Sequence, residues 1–403
     1  GISISHGHCN QKLNLKANQS FLKTKGETPF EKNSGSYMKK LRVLFLTRKW
    51  APAIGGMEVY SMELSKELSH RVDLTVRSLS GTKDCSPPRI GRLICFLFSS
   101  LVYLWRTRRN FDVVHFGDFV LFSLAWWHAL WAPSITRVVS VHGLDLLFGN
   151  RPGWKSTLYS HFVSWAVQRQ SLVACFLANS RYTATLCSEL NLQKVVVIPL
   201  GIESKKNLPV FSPKRSGRER YILFLGRLVR RKGASWFARN VLPALPDDVI
   251  FYVAGKSWDS AEVEMLKNNP RVNLMGHVPN DELPSLIGES EMIVMPNLIN
   301  QDKTDAEGFG LAALEGPAHG IPCVASNIEG LQDAVRQPET GFLVSAEDSD
   351  AWVTQVKQIL EWGEEERELF GRRAKEFVCT HFSWSRVAQN TLMAYQKSFG
   401  QKA

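Results

Sequence analysis

Short apolar runs alternate with amphipathic stretches along almost the whole chain. In the first half, LRVLFLT (41–47), VDLTVRS (72–78), FDVVHF (111–116), RVVSVH (137–142), SLVACFLANS (171–180) and KVVVIPLG (194–201) read as strands. Their near-continuous Val, Leu and Phe content is that of strands buried on both faces. Helical stretches separate them, the first over 58–69 after a turn at Gly55-Gly56. The pattern restarts with YILFLGR (221–227), then VIFYVAG (249–255), VNLMG (272–276), MIVMP (292–296), PCVAS (322–326) and GFLVS (341–345). Strand–helix alternation predicts parallel sheets with helices on both faces. Two such series predict an α/β protein of two doubly wound domains, 38–206 and 221–383. The Pro-, Ser- and charge-rich stretch 207–220 reads as their linker, and 384–403 as a closing helix.

Two runs break the pattern. Residues 93–105 and 119–131 are each 13 apolar-rich residues long, short of the roughly 20 needed to span a bilayer. Both read as helices buried in the first domain. Arg89, Arg92, Arg106, Arg108 and Arg109 bracket the first run, which gives it a second reading as an interfacial helix on anionic lipid. Residues 1–37 are polar and lack the apolar core of a signal peptide. They read as an unstructured extension, with Met38 as the natural start before the first strand.

Composition narrows the class. Of 403 residues, 44% are hydrophobic and 22% charged, which excludes a disordered, collagenous or coiled-coil architecture. Seven cysteines, at 9, 85, 95, 175, 187, 323 and 379, include no CxxC pair; a disulfide scaffold and a structural zinc cluster are excluded. Scattered thiols suit a reducing cytoplasm. The net charge of +11 is uneven: residues 38–211 hold 22 Lys/Arg against 10 Asp/Glu, and 212–403 hold 22 against 26. That asymmetry predicts an anionic partner for the first domain, nucleic acid or an acidic membrane surface.

Ligands of open α/β sheets bind at the carboxyl ends of the strands, so unusual residues there are the candidates for chemistry. In DAEGFGLAALE (305–315), Glu307 and Glu315 bracket Gly308 and Gly310 at a helix start. Exposed N–H groups there can hold phosphate, and the two carboxylates can hold sugar and ribose hydroxyls; the alternative is an acidic first turn stabilised by the helix dipole. In LGRLVRRKG (225–233), Arg227 and Lys232 are candidates for a diphosphate clamp, with Arg230 and Arg231 read as solvated. Gly55-Gly56 allows a backbone to pass under a phosphate, and His142 stands at a strand end before Gly143 and Asp145. No GxxxxGK[ST], no GxGxxG after a strand and no HExxH is present. Asp348-Ser349-Asp350 opens an amphipathic run, so Asp348 reads as a helix cap and not a metal ligand.

Taken in order, GG (55–56), VHG (141–143), ANS (178–180), IPLGI (198–202), GR…KG (226–233), GHVPNDEL (276–283), EGFGLAALE (307–315) and HGIPCVAS (319–326) resemble the family 4 retaining glycosyltransferases. The resemblance covers about 38–400 and implies a GT-B fold: two Rossmann-like domains facing across a cleft. It implies that Glu307 contacts sugar hydroxyls and that Gly308, Phe309, Gly310 and Leu311 offer N–H groups to sugar and diphosphate. Glu315 would bind ribose, and Arg227 and Lys232 would neutralise the diphosphate. Val278 and Pro279 would flank the base, Gly55 and Gly56 the phosphate, and His142 would lie near the transferred sugar. The segment 384–399 is similar to the family's closing helix, which crosses back to the first domain. Gly316-Pro317 departs from the family pattern and predicts a kink behind Glu315.

The implied reaction is transfer of a sugar from a UDP-, GDP- or ADP-sugar to a glycan or lipid-linked hydroxyl, without cofactor or metal. Cell-surface polysaccharide or glycolipid assembly is the expected setting, in the cytoplasm or on the inner face of its membrane. Two other classes remain for comparison. One is a GT-B sugar-nucleotide epimerase. The other is a nucleic-acid-binding protein, for which the basic charge speaks but no helix-turn-helix, zinc-finger or RNP pattern does.

Overall fold

The computed structural model describes residues 40–53, 55–82, 89–203 and 219–400. The expected start at Met38, the extension 1–37 and most of the expected linker lie outside the described residues.

The first sheet has six parallel strands: β1 (Arg42–Trp50), β2 (Asp73–Ser80), β3 (Val113–Phe116), β4 (Thr136–Val141), β5 (Cys175–Ala178) and β6 (Val195–Val197). Their order is β2-β1-β3-β4-β5-β6. The helices between them are α1 (Gly56–Ser69), α2 (Ile90–Arg106), α3 (Phe122–Trp131), α4 (Gly143–Leu147), α5 (Trp154–Gln168) and α6 (Arg181–Glu189). The second sheet is also six-stranded and parallel: β7 (Arg220–Leu225), β8 (Val249–Ala254), β9 (Val272–Gly276), β10 (Met292–Met295), β11 (Cys323–Ser326) and β12 (Gly341–Val344). Its order is β12-β11-β10-β7-β8-β9. Its helices are α7 (Ala234–Asn240), α8 (Ser260–Lys267), α9 (Leu283–Glu289), α10 (Ala312–Ala318), α11 (Leu331–Ala334), α12 (Ser349–Leu360), α13 (Glu364–His381) and α14 (Trp384–Gly400). These are the two doubly wound domains of the GT-B fold.

The central strands are apolar because both faces are covered: Val43, Leu44, Phe45 and Leu46 of β1 are fully buried, as are Ile222, Leu223 and Phe224 of β7. One apolar core continues from Val43 and Tyr60 through Leu200 and Trp384 to Leu223 and Phe309, so the two sheets share buried surface. The last helix returns to the first domain. The Ile202 N–H bonds the Phe382 carbonyl at 2.7 Å, and beyond it Ser385 meets Arg71 and Tyr395 meets His115.

The apolar runs 93–105 and 119–131 both form helices; the second is buried over most of its length as the sequence suggested, the first along one narrow stripe only. On α2 only Phe96, Ser100 and Leu104 are buried, whereas Ile90, Ile94, Phe98 and Trp105 are exposed. The second run forms a 3-10 turn, Phe119–Leu121, and then α3; Phe122, Leu124 and Ala125 are buried, while Trp127, Leu130 and Trp131 face out. No helix among the described residues is long and apolar enough to cross a membrane.

Candidate functional site

Strand order reverses between β7 and β10, so the loops leaving those strands part to opposite faces and open a crevice at their carboxyl ends. The loop after β7 carries Arg227 and Lys232, and the loop after β10 carries Asn297 and Glu307. They meet at the crevice. Gly233, at φ +73°, makes the meeting possible: a Cβ there would lie 1.8 Å from the Pro296 carbonyl oxygen.

Lys232 is 8% exposed and its Nζ forms an ion pair with Glu307 Oε2. The same oxygen receives hydrogen bonds from Arg231 Nη1 at 3.5 Å and from Asn297 Nδ2 at 3.3 Å. Burial opposes ionisation of Glu307, but Lys232, Arg231 and Asn297 overcome it and hold the carboxyl down at about 2. Burial draws Lys232 below the ordinary lysine value; Glu307 counteracts this, while the Arg231 and Arg227 charges add to it. Arg231 also faces Asp305 at 3.5 Å. The sequence reading placed Arg231 in solvent beside Arg230. Its side chain is 11% exposed and belongs to the cluster. The reason is the 3-10 turn Arg230–Lys232, which swings successive side chains by about 120°.

Arg227 is exposed and lies over the Trp258 ring at 5.2 Å, at the mouth of the crevice. Arg227, Arg231 and Lys232 thus converge on Glu307, with Asp305 and Glu329 also facing Arg231. Beyond Glu307 the chain turns into α10. Among the described residues, no hydrogen bond takes up the N–H groups of Gly308, Phe309, Gly310 or Leu311. That row of N–H donors lies beside the cluster of Arg227, Arg231 and Lys232, an arrangement with the chemistry to hold an anion with several oxygens.

The first domain closes over this loop. Gly56 opposes Leu311, and a Cβ on Gly143 would lie 3.4 Å from Gly308 Cα. Gly55 precedes α1, and a Cβ there would meet Glu58 Oε2 at 2.6 Å. His142, 5% exposed, sits at the α4 start, donates Nε2–H to the Gly117 carbonyl at 3.1 Å and packs edge-on against Tyr60. Asn179 Nδ2 faces Gly308 from the same side. Arg181, at the start of α6, bonds Asp333 Oδ1 through Nε and Asp333 Oδ2 through its backbone N–H, both at 2.5 Å.

The structure therefore brings Gly56, His142–Gly143, Lys232, Glu307, Gly308 and Leu311 to one crevice. Phe309 is buried in the shared core, and Gly310 turns the loop at φ +89°. Glu315 is half-buried on α10, one turn further on, with Pro317 near the end of that seven-residue helix. Val278 packs against the core beyond β9, and Pro279 is exposed, its carbonyl accepting the N–H groups of Glu282 and Leu283. Asp348 caps α12, accepting the Ala351 N–H at 3.0 Å. No group of three or more His, Cys, Asp or Glu among the described residues is placed to hold a metal ion.

Sequence reasoning missed Glu329. Its carboxylate accepts the Glu307 N–H at 2.5 Å, and its backbone takes φ +51°, unusual for a side-chain-bearing residue. Burial, opposed by that hydrogen bond and by Arg231, pushes its carboxyl up to about 7. The only signal in the sequence was an acidic residue just past a buried strand, before Gly330.

Two family models divide the chain: Glycosyltransferase Family 4 matches residues 54–206, and Glycosyl transferases group 1 matches 219–361. An uncharacterized 41.2 kDa protein in the cps region of Klebsiella pneumoniae is 24% identical over 323 residues, covering 76% of this chain and 86% of that one. A glycogen synthase of Mycobacterium tuberculosis is 26% identical over 303 residues, covering 70% of this chain and 68% of its own. Among solved structures, Anabaena HepE in complex with UDP and glucose superposes with a TM-score of 0.64 at 16% identity, over 88% of this chain and 99% of that one.

Proposed function

We propose that this GT-B chain, related to the family 4 and group 1 glycosyltransferases, is a retaining glycosyltransferase. It takes a nucleoside-diphosphate sugar as donor and a hydroxyl as acceptor, in cell-surface polysaccharide or glycolipid assembly. The observation that carries the reading is the pair of buried Lys232 with largely shielded Glu307 beside the N–H row of 308–311, unbonded among the described residues, at the second sheet's crevice. Such a site offers one carboxylate to sugar hydroxyls and several donors to a diphosphate.

In the proposed reaction the bond from sugar C1 to the diphosphate oxygen breaks. The acceptor oxygen bonds C1 on the same face, and its proton passes to the departing phosphate oxygen. Arg227, Lys232 and the N–H row stabilise the charge that develops on the leaving group, so the reading requires no metal. Lys232, Arg231 and Asn297 all hold Glu307 Oε2, so the reading gives Oε1 to sugar hydroxyls and assigns Glu307 no covalent role. His142, with Nε2 committed to Gly117, is assigned to the sugar side of the cleft as a fixed wall. Glu315 is assigned to the ribose, and Val278 and Pro279 to the base. The acceptor enters along the basic first domain, at an anionic membrane face of the cytoplasm.

A thermal-shift panel of UDP-, GDP- and ADP-sugars tests the donor, since the true one raises the melting temperature by linkage. The anomeric configuration of the product, read by proton NMR with and without EDTA, tests the rest. No shift with any nucleotide sugar overturns the reading. Inversion overturns retention, and a metal-restorable loss overturns metal independence. Epimerised donor in the absence of acceptor would point to an epimerase.

A further inference from the structure

The outward face of α2 is apolar at helical spacing. Ile90, Ile94, Phe98 and Trp105 are 70%, 59%, 67% and 48% exposed. Trp127, Leu130 and Trp131 of α3 are exposed as well, and α2 packs against α3. Single exposed apolar residues are ordinary, but a contiguous group of this size marks a surface that something covers. Between the two helices lies a cavity of about 260 Å³, walled by Leu101, Leu104, Trp105, Trp127 and Trp131. Its volume falls just below the roughly 300–1,000 Å³ of small-molecule pockets, and its wall is almost wholly apolar.

Trp131 is also a wall of a second recess, where Arg42, Arg108 and Arg109 converge. Arg42 is paired with Asp112 at 2.8 Å. Arg108 lies over the Trp105 ring and donates to the Trp105 carbonyl at 2.9 Å, which fixes it at the edge of the apolar face. Arg109 is exposed and has no ion pair among the described residues. An apolar slot and a cationic shelf therefore share one tryptophan. That juxtaposition matches an amphiphile with an anionic head and a hydrocarbon chain, the tryptophans standing at the level where the two meet.

We propose that α2 and α3 form a seat for an anionic phospholipid of a bilayer surface. One acyl chain enters the slot beside Trp127, and the phosphate lies over Arg108 and Arg109. The inference deepens the membrane-facing part of the proposed function and rests on it. Two other occupants fit less well. A second copy docked on the same face would set its own arginines against these. The chain's residues 1–37 carry five lysines against two acids and no apolar run longer than two, so they match neither the shelf nor the slot.

The full chain is tested with vesicles of phosphatidylcholine alone and of phosphatidylcholine with 30% phosphatidylglycerol. Co-sedimentation is expected with the anionic vesicles at 0.1 M salt and is lost at 1 M, as the screening length falls. Phosphatidylglycerol brominated on its acyl chains should quench tryptophan emission, and a Trp105→Phe/Trp127→Phe/Trp131→Phe variant should lose most of that quenching. Ile94→Ser/Phe98→Ser and Arg108→Ala/Arg109→Ala should each weaken binding at least tenfold at an unchanged melting temperature, these side chains being largely at the surface. Equal pelleting with neutral vesicles, binding without quenching, or a concentration-dependent dimer that excludes vesicles would overturn the seat. The donor-induced thermal shift of the same variants is expected to match wild type, so loss of lipid binding and loss of donor binding are read separately.

Discussion

Lys232 and Arg227 carry the same charge on the same loop, yet truncating them should have different consequences. Arg227 is exposed, stacked on Trp258, and satisfies no buried partner. Arg227→Ala should keep its melting temperature and lose about 10²–10³-fold in kcat/KM, the typical effect of removing one donor to developing negative charge. Lys232→Ala should lose both, because it leaves Glu307 buried with a weakened set of partners, at a cost of about 3–5 kcal/mol. Steady-state kinetics beside calorimetry separates the two, and near wild-type rates in both variants would remove the clamp. Glu329 gives a pH signature instead. Its carboxyl stands at about 7 in the folded chain against 4.5 for an ordinary glutamate. Between those values the folded chain binds more protons than the unfolded one, so Glu329's contribution is complete below about 4.5 and is lost as pH rises through 7. Glu329→Gln keeps an acceptor for the Glu307 N–H and removes the ionisation. It should match wild type near pH 4.5 and exceed it at pH 8 by on the order of 3 kcal/mol. Denaturant titrations at the two pH values check this, and parallel curves would show the carboxyl is not buried as described.

The strands were legible because burial on both faces leaves continuous apolar runs, and all twelve were anticipated within a few residues. Their ends were less so: the run 171–180 shortens to β5, because Gln170–Leu172 coils into a 3-10 turn first. The candidate site divides in the same way. Glu307 and Lys232 were legible as charged groups at the ends of apolar strands. Arg231 was not, because a sequence gives the order of residues in a turn and not which of them points inward. Glu329 lies 22 positions beyond Glu307 and reaches it only because β10 and β11 are neighbours in the sheet. The exposed stripe on α2 could be read at spacings of four and seven, but total apolarity hid its direction. Gly330 illustrates a tighter constraint between elements. Its φ of −67° suits any residue, yet a Cβ would lie 2.4 Å from the Gly308 oxygen and 2.5 Å from the Phe309 nitrogen. Backbone cannot step aside as a flexible side chain can. Gly330→Ala should displace the 308–311 row, cost about 1–3 kcal/mol of stability and reduce the donor-induced thermal shift. An unchanged shift would mean the row does not hold the donor.

Both domains contribute to the closed site, so its affinity depends on how they are held together. The Asn150 and Arg151 side chains bond the Lys303 and Thr304 carbonyls at 2.9 and 3.0 Å, and Lys303 pairs with Glu189 at 3.6 Å. A further link is Arg181–Asp333. The Arg181 side chain is 64% exposed, so its ion pair alone contributes little. The Asp333 carboxylate, however, is 4% exposed and also accepts the Arg181 backbone N–H. That second bond ties the start of α6 to α11, which follows directly on Glu329 and Gly330. The contact between the domains and the proposed donor loop therefore share one short segment, Glu329 to Asp333. Gly143 lies against Gly308, so the proposed reaction calls for the cleft to open before substrates enter. Asp333→Asn keeps the shape and removes the charge, weakening charge-assisted bonds by about 1.5 kcal/mol, roughly tenfold in the closed-to-open ratio. The free variant should show a larger radius of gyration in small-angle scattering and a lower kcat/KM, by less than about tenfold. Adding saturating donor should restore the compact form, because the proposed donor site draws on both halves. If the variant is as compact and as active as wild type, the domains are held by the shared core through Trp384 and not by this latch.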